Sequence, residues 1–248
     1  MDLVSVIIPY YRKRNFVKET LTSVVNQDYD NLEVLIIYDD TNLNDLEFLQ
    51  KITKSDSRIK IIKNDAKLGA GFSRNIGIDK SNGKYIAFLD ADDIWSLDKL
   101  KSQISFMKQN NHKISHTSYY IIDDKKKIIG QRKARDLLSL KDIIKSCDIG
   151  LSTVVLEKNI IVRNKIKFPN LKTKEDFVFW LMLLKKDYRF YAYDKYLTNW
   201  SDVKNSLSSS TVQKLNDGFK VYNQYMDFNI FKSLYYLLCL SFNYLKKK

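Results

Sequence analysis

Residues 85–95 read Tyr-Ile-Ala-Phe-Leu-Asp-Ala-Asp-Asp-Ile-Trp. An apolar, strand-like run, Tyr85–Leu89, breaks directly into Asp90, Asp92 and Asp93. Carboxylates crowded at the end of a buried strand repel one another and are costly to desolvate. A bound cation removes that cost, and hard divalent ions such as Mn2+ or Mg2+ take oxygen ligands. An ion held by only one or two carboxylates keeps open positions that phosphates fill. The segment therefore reads as a seat for a metal–diphosphate ligand. A competing reading is an acidic turn capping the next helix, because Asp is common at turns and N-caps.

Two other strand ends carry comparable residues. Val4–Pro9 runs into Tyr10-Tyr11, and Glu33–Tyr38 runs into Asp39-Asp40. In open parallel sheets, ligands bind outside the carboxyl ends of the strands. Three such ends converging is more specific than any one motif, although Asp39-Asp40 alone also fits an ordinary turn. Gly69-Ala70-Gly71 lacks the third glycine of a dinucleotide fingerprint and reads as a turn permitting close backbone approach. Arg74 follows on a predicted helix, where a plain surface position is the alternative. His112 and His116 stand four apart on a strand onset with no Glu between them, so they do not read as metal ligands. Trp95 and Trp180 could stack on sugar rings, though core packing is the commoner fate of Trp.

The elements that must position these groups alternate. Strands are expected at Val4–Pro9, Glu33–Tyr38, Ile59–Lys63 and Tyr85–Leu89. Helices are expected from an Asn15 cap to Asn26, then at Leu43–Thr53 and Phe72–Lys80. That order means a mostly parallel sheet with right-handed crossovers. Beyond it come a helix at Leu97–Gln109 and strands at Ile114–Ile122 and Lys127–Arg132. A helix at Leu140–Cys147, a strand at Ser152–Leu156 and a helix at Phe177–Lys185 with Thr173 as its cap complete the pattern.

With 248 residues, 44% of them hydrophobic, the chain suits one large domain. Two cysteines make no disulfide framework and suit a reducing compartment. No secretory leader or spanning segment is apparent. The net charge of +13 favours nucleic acid, anionic membrane or phosphorylated ligands. No zinc-finger spacing or RNP-type strand supports nucleic acid.

Four motifs in order carry a resemblance. They are Val4-Ser5-Val6-Ile7-Ile8-Pro9-Tyr10-Tyr11, Ile36-Ile37-Tyr38-Asp39-Asp40, Gly71-Phe72-Ser73-Arg74-Asn75-Ile76-Gly77 and Ala87-Phe88-Leu89-Asp90-Ala91-Asp92-Asp93. With Glu175-Asp176 and Trp180, the series resembles the family 2 glycosyltransferases of GT-A fold. The resemblance implies an α/β, Rossmann-like, mostly parallel sheet flanked by helices, with a C-terminal acceptor-side region and terminal helices. It implies a nucleotide-sugar-binding half at 1–110 and an acceptor-side half at 111–227 of the same domain. It implies an inverting, metal-dependent transfer from a nucleotide-sugar donor, expected to be UDP-linked, to a glycan or lipid-linked glycan in surface-polysaccharide, capsule or lipopolysaccharide synthesis. Tyr11 would lie against the base, with the Pro9 backbone lining that pocket. Asp39 would bind the base, Arg74 the base or diphosphate, and Asp90 the ribose or sugar. Asp92 would ligate the metal, and Asp176 would be the general base. Glu175, Trp95 and Trp180 would stand on the acceptor side. Arg12, where the family has Asn, and Thr41-Asn42-Leu43, where it has small and hydroxyl residues, depart from the pattern.

Asp176 has its own competing reading, since acidic residues in a first helical turn stabilise the dipole without catalysis. The segment 228–248 is an apolar helix ending in three lysines. It fits an anionic membrane surface, or equally a terminal helix packed on the domain. A chain peripheral on the inner face of the cell membrane is the expectation. Two further readings are a sugar-nucleotide nucleotidyltransferase and a catalytically silent carbohydrate-binding module. The first lacks a glycine-rich loop after the first strand. The second has no need of Asp90, Asp92 and Asp176 together.

Overall fold

The computed structural model describes residues 1–202 and 211–246. The expected basic end at Lys247 and Lys248 lies outside them. Four strands, β1 (Val4–Tyr10), β2 (Leu32–Tyr38), β3 (Ile59–Lys63) and β4 (Tyr85–Phe88), run parallel in the order β3-β2-β1-β4. They alternate with α1 (Arg14–Val25), α2 (Leu43–Thr53) and α3 (Ala70–Lys80). The sheet continues past β4 through β8 (Val155–Glu157), which is antiparallel to it, then β6 (Ile114–Ile122), β9 (Tyr191–Ser201) and the two-residue β5 (Ile94–Trp95). A further strand, β7 (Ile128–Arg132), pairs with β6. One sheet therefore crosses from the first half of the chain into the second.

Period-two burial splits the core into two layers. On one face Val6, Ile8, Val34 and Ile36 pack with Val17, Leu21 and Val24 of α1, and with α4 (Lys99–Gln109). On the other face Ile7, Leu35 and Phe88 pack with Ile78 of α3 and with α7 (Glu175–Lys185). Strands buried on both faces explain the uninterrupted apolar runs. Gly77 lets α3 lie directly on β1, since a Cβ there would come within 2.5 Å of Ile7.

Several expectations are corrected. The first helix begins at Arg14 after Lys13, with no side-chain cap from Asn15. α7 begins at Glu175, and its N-cap is Lys174 in a left-handed conformation. The Thr173 amide and hydroxyl instead donate to buried Asp217 at 2.9 and 3.0 Å. The helix expected to reach Cys147 is the single turn α5 (Leu140–Ile143). The first residues of the expected strand Ser152–Leu156 belong to a 3-10 turn, Leu151–Thr153. Helix α6 (Lys158–Asn164) and helix α8 (Thr211–Lys220) are additional to the expected elements. The terminal helix α9 (Ile230–Leu245) is two-sided, with Ser233 and Leu240 buried and Phe231 85% exposed.

Candidate active site

Because β1, β2 and β4 are parallel, their carboxyl ends share one edge. Tyr11, Asp39-Asp40 and Asp90–Asp93 lie there, and the first turn of α7 joins them through Arg74. The Arg74 side chain is 5% exposed and forks between Asp90 Oδ1 at 2.7 Å and Glu175 Oε1 at 2.8 Å. α3 carries this arginine, and Gly69, at φ +88°, opens that helix. A Cβ at Gly71 would sit 3.3 Å from the Glu175 side chain, so the small residue lets α7's first turn approach.

The electrostatics are those of five carboxylates, Asp90, Asp92, Asp93, Glu175 and Asp176, around few cations. Burial pushes the Glu175 carboxyl up to about 7 against the pull of Arg74, and the Asp176 charge adds to the rise. Burial also raises Asp176, opposed by Lys174 and Arg74. Arg74 is held more firmly protonated by its two partners, which outweigh its own burial. Its Nε is buried without a hydrogen-bond partner among the described residues.

On the β4 side the three aspartates divide their work. Asp93 is buried and structural. Its carboxylate accepts from the Ser152 hydroxyl at 2.5 Å and the Ser201 amide at 2.9 Å, tying the 3-10 turn and the end of β9 to β4. Burial raises its pKa well above the carboxylate range, and the Asp92 and Asp90 charges add to this. Ser152 also accepts from the Asp90 amide at 3.0 Å. Asp92 is 14% exposed and pairs with Lys13 Nζ at 2.6 Å. Burial raises it too, against the Lys13 charge. Asp90 is the most open of the three, with its side chain 33% exposed.

This donor set fits a divalent ion of the kind that keeps most positions for its ligand. Asp92, with Asp90 beside it, offers one or two carboxylates, and a cation already stands on Asp92 in the form of the Lys13 ammonium. No cluster of three or more His, Cys, Asp or Glu that could cage an ion exists among the described residues. Ions that keep waters and bind with substrate phosphates need no such cage.

At the β2 end, Asp39 Oδ1 accepts from the Leu68 amide at 2.7 Å and Asn64 Nδ2 at 2.8 Å, and its Oδ2 from the Gly69 amide at 2.7 Å. Asp39 thus holds the loop that feeds α3. Asp40 turns Oδ1 to the Thr41 amide at 2.7 Å and leaves Oδ2 buried without a hydrogen-bond partner among the described residues. Asn42, one of the departures from the family pattern, caps α2 by accepting from the Asn44 and Asp45 amides. Arg12, the other, takes φ 52°, a conformation asparagine adopts more readily. Its guanidinium lies 5.1 Å from the Tyr11 ring centroid, and Lys67 Nζ lies 3.9 Å from it. Pro9 is half-buried in β1, one step from this edge.

The two tryptophans do not meet the acceptor side. Trp95 is 3% exposed and donates its indole N–H to the Ser152 carbonyl at 2.7 Å. Trp180 is fully buried against Phe88, Phe179 and Phe190. Both are core residues because their neighbours in the fold are apolar. Sequence reasoning missed Lys13, Ser152 and the free oxygen of Asp40. Only long-range contacts reveal the first two.

A family model described as Glycosyl transferase family 2 matches residues 5–178. The chain belongs to that family. It is 31% identical over 247 residues, 99% of this chain and 97% of the relative, to the putative teichuronic acid biosynthesis glycosyltransferase TuaG of Bacillus subtilis strain 168. It is 35% identical, over 95% of this chain and 91% of the relative, to an Escherichia coli protein named UDP-Glc:alpha-D-GlcNAc-diphosphoundecaprenol beta-1,3-glucosyltransferase WfgD. Among solved structures, S. aureus TarS 1-349 in complex with UDP-GlcNAc superposes with TM-score 0.75 at 21% identity, covering 96% of this chain and 70% of that one. The mannosyltransferase PcManGT from Pyrobaculum calidifontis, in complex with GDP-Man and Mn2+, superposes with TM-score 0.69 at 13% identity, covering 94% of this chain and 69% of that one. These likenesses establish the GT-A-like glycosyltransferase fold.

Proposed function

We propose that this family 2 glycosyltransferase moves a hexose from a UDP-linked donor, with inversion, to a hydroxyl of a lipid-linked glycan during surface-polysaccharide synthesis. One observation carries the reading: Arg74 brings the strand-end Asp90 and the first turn of α7, which bears Asp176, to one edge of the sheet. A donor and an acceptor can meet there. The lipid-linked acceptor is supported by the printed name of WfgD, and the surface-polysaccharide setting by that of TuaG.

Asp92 and Asp90 would hold Mn2+ or Mg2+, which supplies charge neutralisation of the leaving diphosphate. Tyr11 takes the base on a ring face in exchange for its Lys67 contact, beside the Pro9 backbone. Asp39 fixes the loop around the base, and the free Asp40 oxygen is available to a ring N–H. Arg74 is too buried to reach the diphosphate, so it orients Asp90 and Glu175. Asp176 accepts the proton of the attacking hydroxyl, and its raised pKa makes it a stronger base than an exposed aspartate. A single in-line displacement inverts the anomeric centre, so an α-linked donor gives a β-linked product.

The described residues contain no helix long and apolar enough to cross a membrane. The open face of α9 carries Phe231, Leu234, Tyr235, Leu238 and Phe242. Lys145 and Lys246 lie over the Tyr235 and Phe242 rings of α9, and Lys232 over the ring of Phe228, two residues before it. Residues 228–248 contain no acidic side chain. This face suits the anionic inner surface of the membrane, where a lipid-linked acceptor is found.

The test is a donor-hydrolysis screen over nucleotide sugars with Mn2+ or Mg2+, on wild type and Asp92→Ala. Metal-dependent hydrolysis of a UDP-hexose, lost in the variant, is the expected result. Hydrolysis that ignores both metal and Asp92 would remove the metal-dependent reading.

A further inference from the structure

Asp92 already has a cation. The Lys13 ammonium stands 2.6 Å from Asp92 Oδ2 and is 23% exposed. Among the described residues it has no other acidic partner within ion-pair distance. Lys13 sits in the loop between β1 and α1, directly after the left-handed Arg12. The ammonium also lies 5.6 Å from the Phe16 ring centroid. Asp90 adds negative charge beside the largely buried Asp92, so a cation is needed here whether or not a nucleotide is bound.

We propose that Lys13 is a stand-in cation that the metal displaces, and that the released ammonium passes to the diphosphate of the donor. The proposal rests on the reading of Asp92 as metal ligand. A lysine is suited to this exchange. Its ammonium is a compact point charge on a flexible stem, able to leave one anion and bind a phosphate within a few ångströms. An arriving metal alone must compete with the ammonium for the carboxylate, and it leaves Lys13 without an anion. A metal arriving with a diphosphate gives Lys13 a new partner in the same step. Metal and nucleotide therefore help each other bind, and the help is reciprocal because it is a coupling between two ligands on one protein. Asp92 is thereby neutralised in both states of the site.

Isothermal titration of the full chain, with Mn2+ alone and with Mn2+ in the presence of UDP, tests the exchange. Lys13→Met should bind Mn2+ alone roughly tenfold more tightly than wild type, in the range usual for such couplings. The factor by which UDP improves Mn2+ affinity should shrink by a similar amount. Lys13→Arg keeps the charge and should keep the weak binding of Mn2+ alone. Unchanged or weaker Mn2+ binding by Lys13→Met overturns the proposal, as does loss of Mn2+–UDP binding in both variants. Asp92→Ala separates this from the underlying reading. If wild type needs Asp92 to bind Mn2+ with UDP and Lys13 makes no difference, only the stand-in role falls. If wild type binds no Mn2+ with UDP, both fall.

Discussion

The β4 edge and the α7 edge of the site both present carboxylates, but they are built differently. Asp90, Asp92 and Asp93 follow one another at a strand end, and the strand that buries them is local in sequence. Their partners, Lys13, Ser152 and Ser201, are brought in by other strands and turns. Glu175 and Asp176 stand at a helix start preceded by a left-handed lysine. They reach the site because Arg74, about a hundred residues earlier, holds Glu175. The first arrangement places charge by chain continuity, and the second by one buried ion-pair fork. A strand end can thus be read as a site from sequence alone, while a helix start becomes one only through its partner.

The largest effect is expected where the two regions join. Arg74→Met removes the shared cation and leaves Asp90 and Glu175 facing each other with no guanidinium. Breaking a buried pair by deleting one partner costs about 3–5 kcal/mol. Chemical denaturation should show a loss of that size, and donor binding and transfer should fall together. If only transfer falls while stability and donor binding stay at wild-type values, the fork does not join the two edges.

Asp176→Asn sharpens the same contrast, because it should touch one edge only. Loss of a general base lowers turnover by roughly a hundred-fold or more, and donor affinity should be nearly unchanged. The pH profile carries a second signature. Burial raises both Glu175 and Asp176, so the base is lost to protonation at a higher pH than an exposed carboxylate would be. The acid limb of wild-type transfer should therefore lie at a higher pH than that of an exposed aspartate, with Glu175 and Asp176 contributing together. Transfer by Asp176→Asn at the wild-type rate would reduce Asp176 to a helix-terminal charge.

How much of this was legible follows from the same contrast. β1 to β4 and α2 fall within one or two residues of their expected places, because each apolar run is buried by its own periodicity and bounded by its own turn residues. The motif aspartates land on one edge because parallel strands share one. The second half reads poorly because its signals depend on distant partners. Thr173 resembles a cap but is claimed by Asp217. β9 mixes Tyr, Asp and Lys, and becomes a strand by pairing with β6 on one side and β5 on the other. Trp95 and Trp180 have the right chemistry for sugar stacking, and tertiary packing buries both. Asp39 and Asp40 show the limit within a motif. Adjacent and chemically identical, they differ because the loop at 64–69 folds onto one and not the other.

The smallest expected effect separates two faces of one helix. The terminal helix α9 packs Leu240 into the core beside Tyr222 and leaves Phe231 and Leu238 exposed at 85% and 69%. Leu237, apolar like its neighbours, belongs to the packed side, where it approaches Gly218. Removing the whole helix would uncover core and confuse binding with unfolding. Substituting the open face avoids that, because exposed positions usually change stability by no more than about 0.5 kcal/mol. Phe231→Glu with Leu238→Glu should therefore leave the melting curve and donor hydrolysis intact while weakening co-sedimentation with anionic vesicles. Each basic residue near such a surface adds about 1 kcal/mol, and salt screens that share. Wild-type sedimentation should accordingly rise with anionic lipid and fall, without vanishing, in high salt, because the apolar side chains still insert. Leu240→Glu is the contrasting substitution: it should lower the melting temperature whatever the lipid. If the Phe231 and Leu238 double variant sediments like wild type at every lipid composition, the open face serves something other than a bilayer.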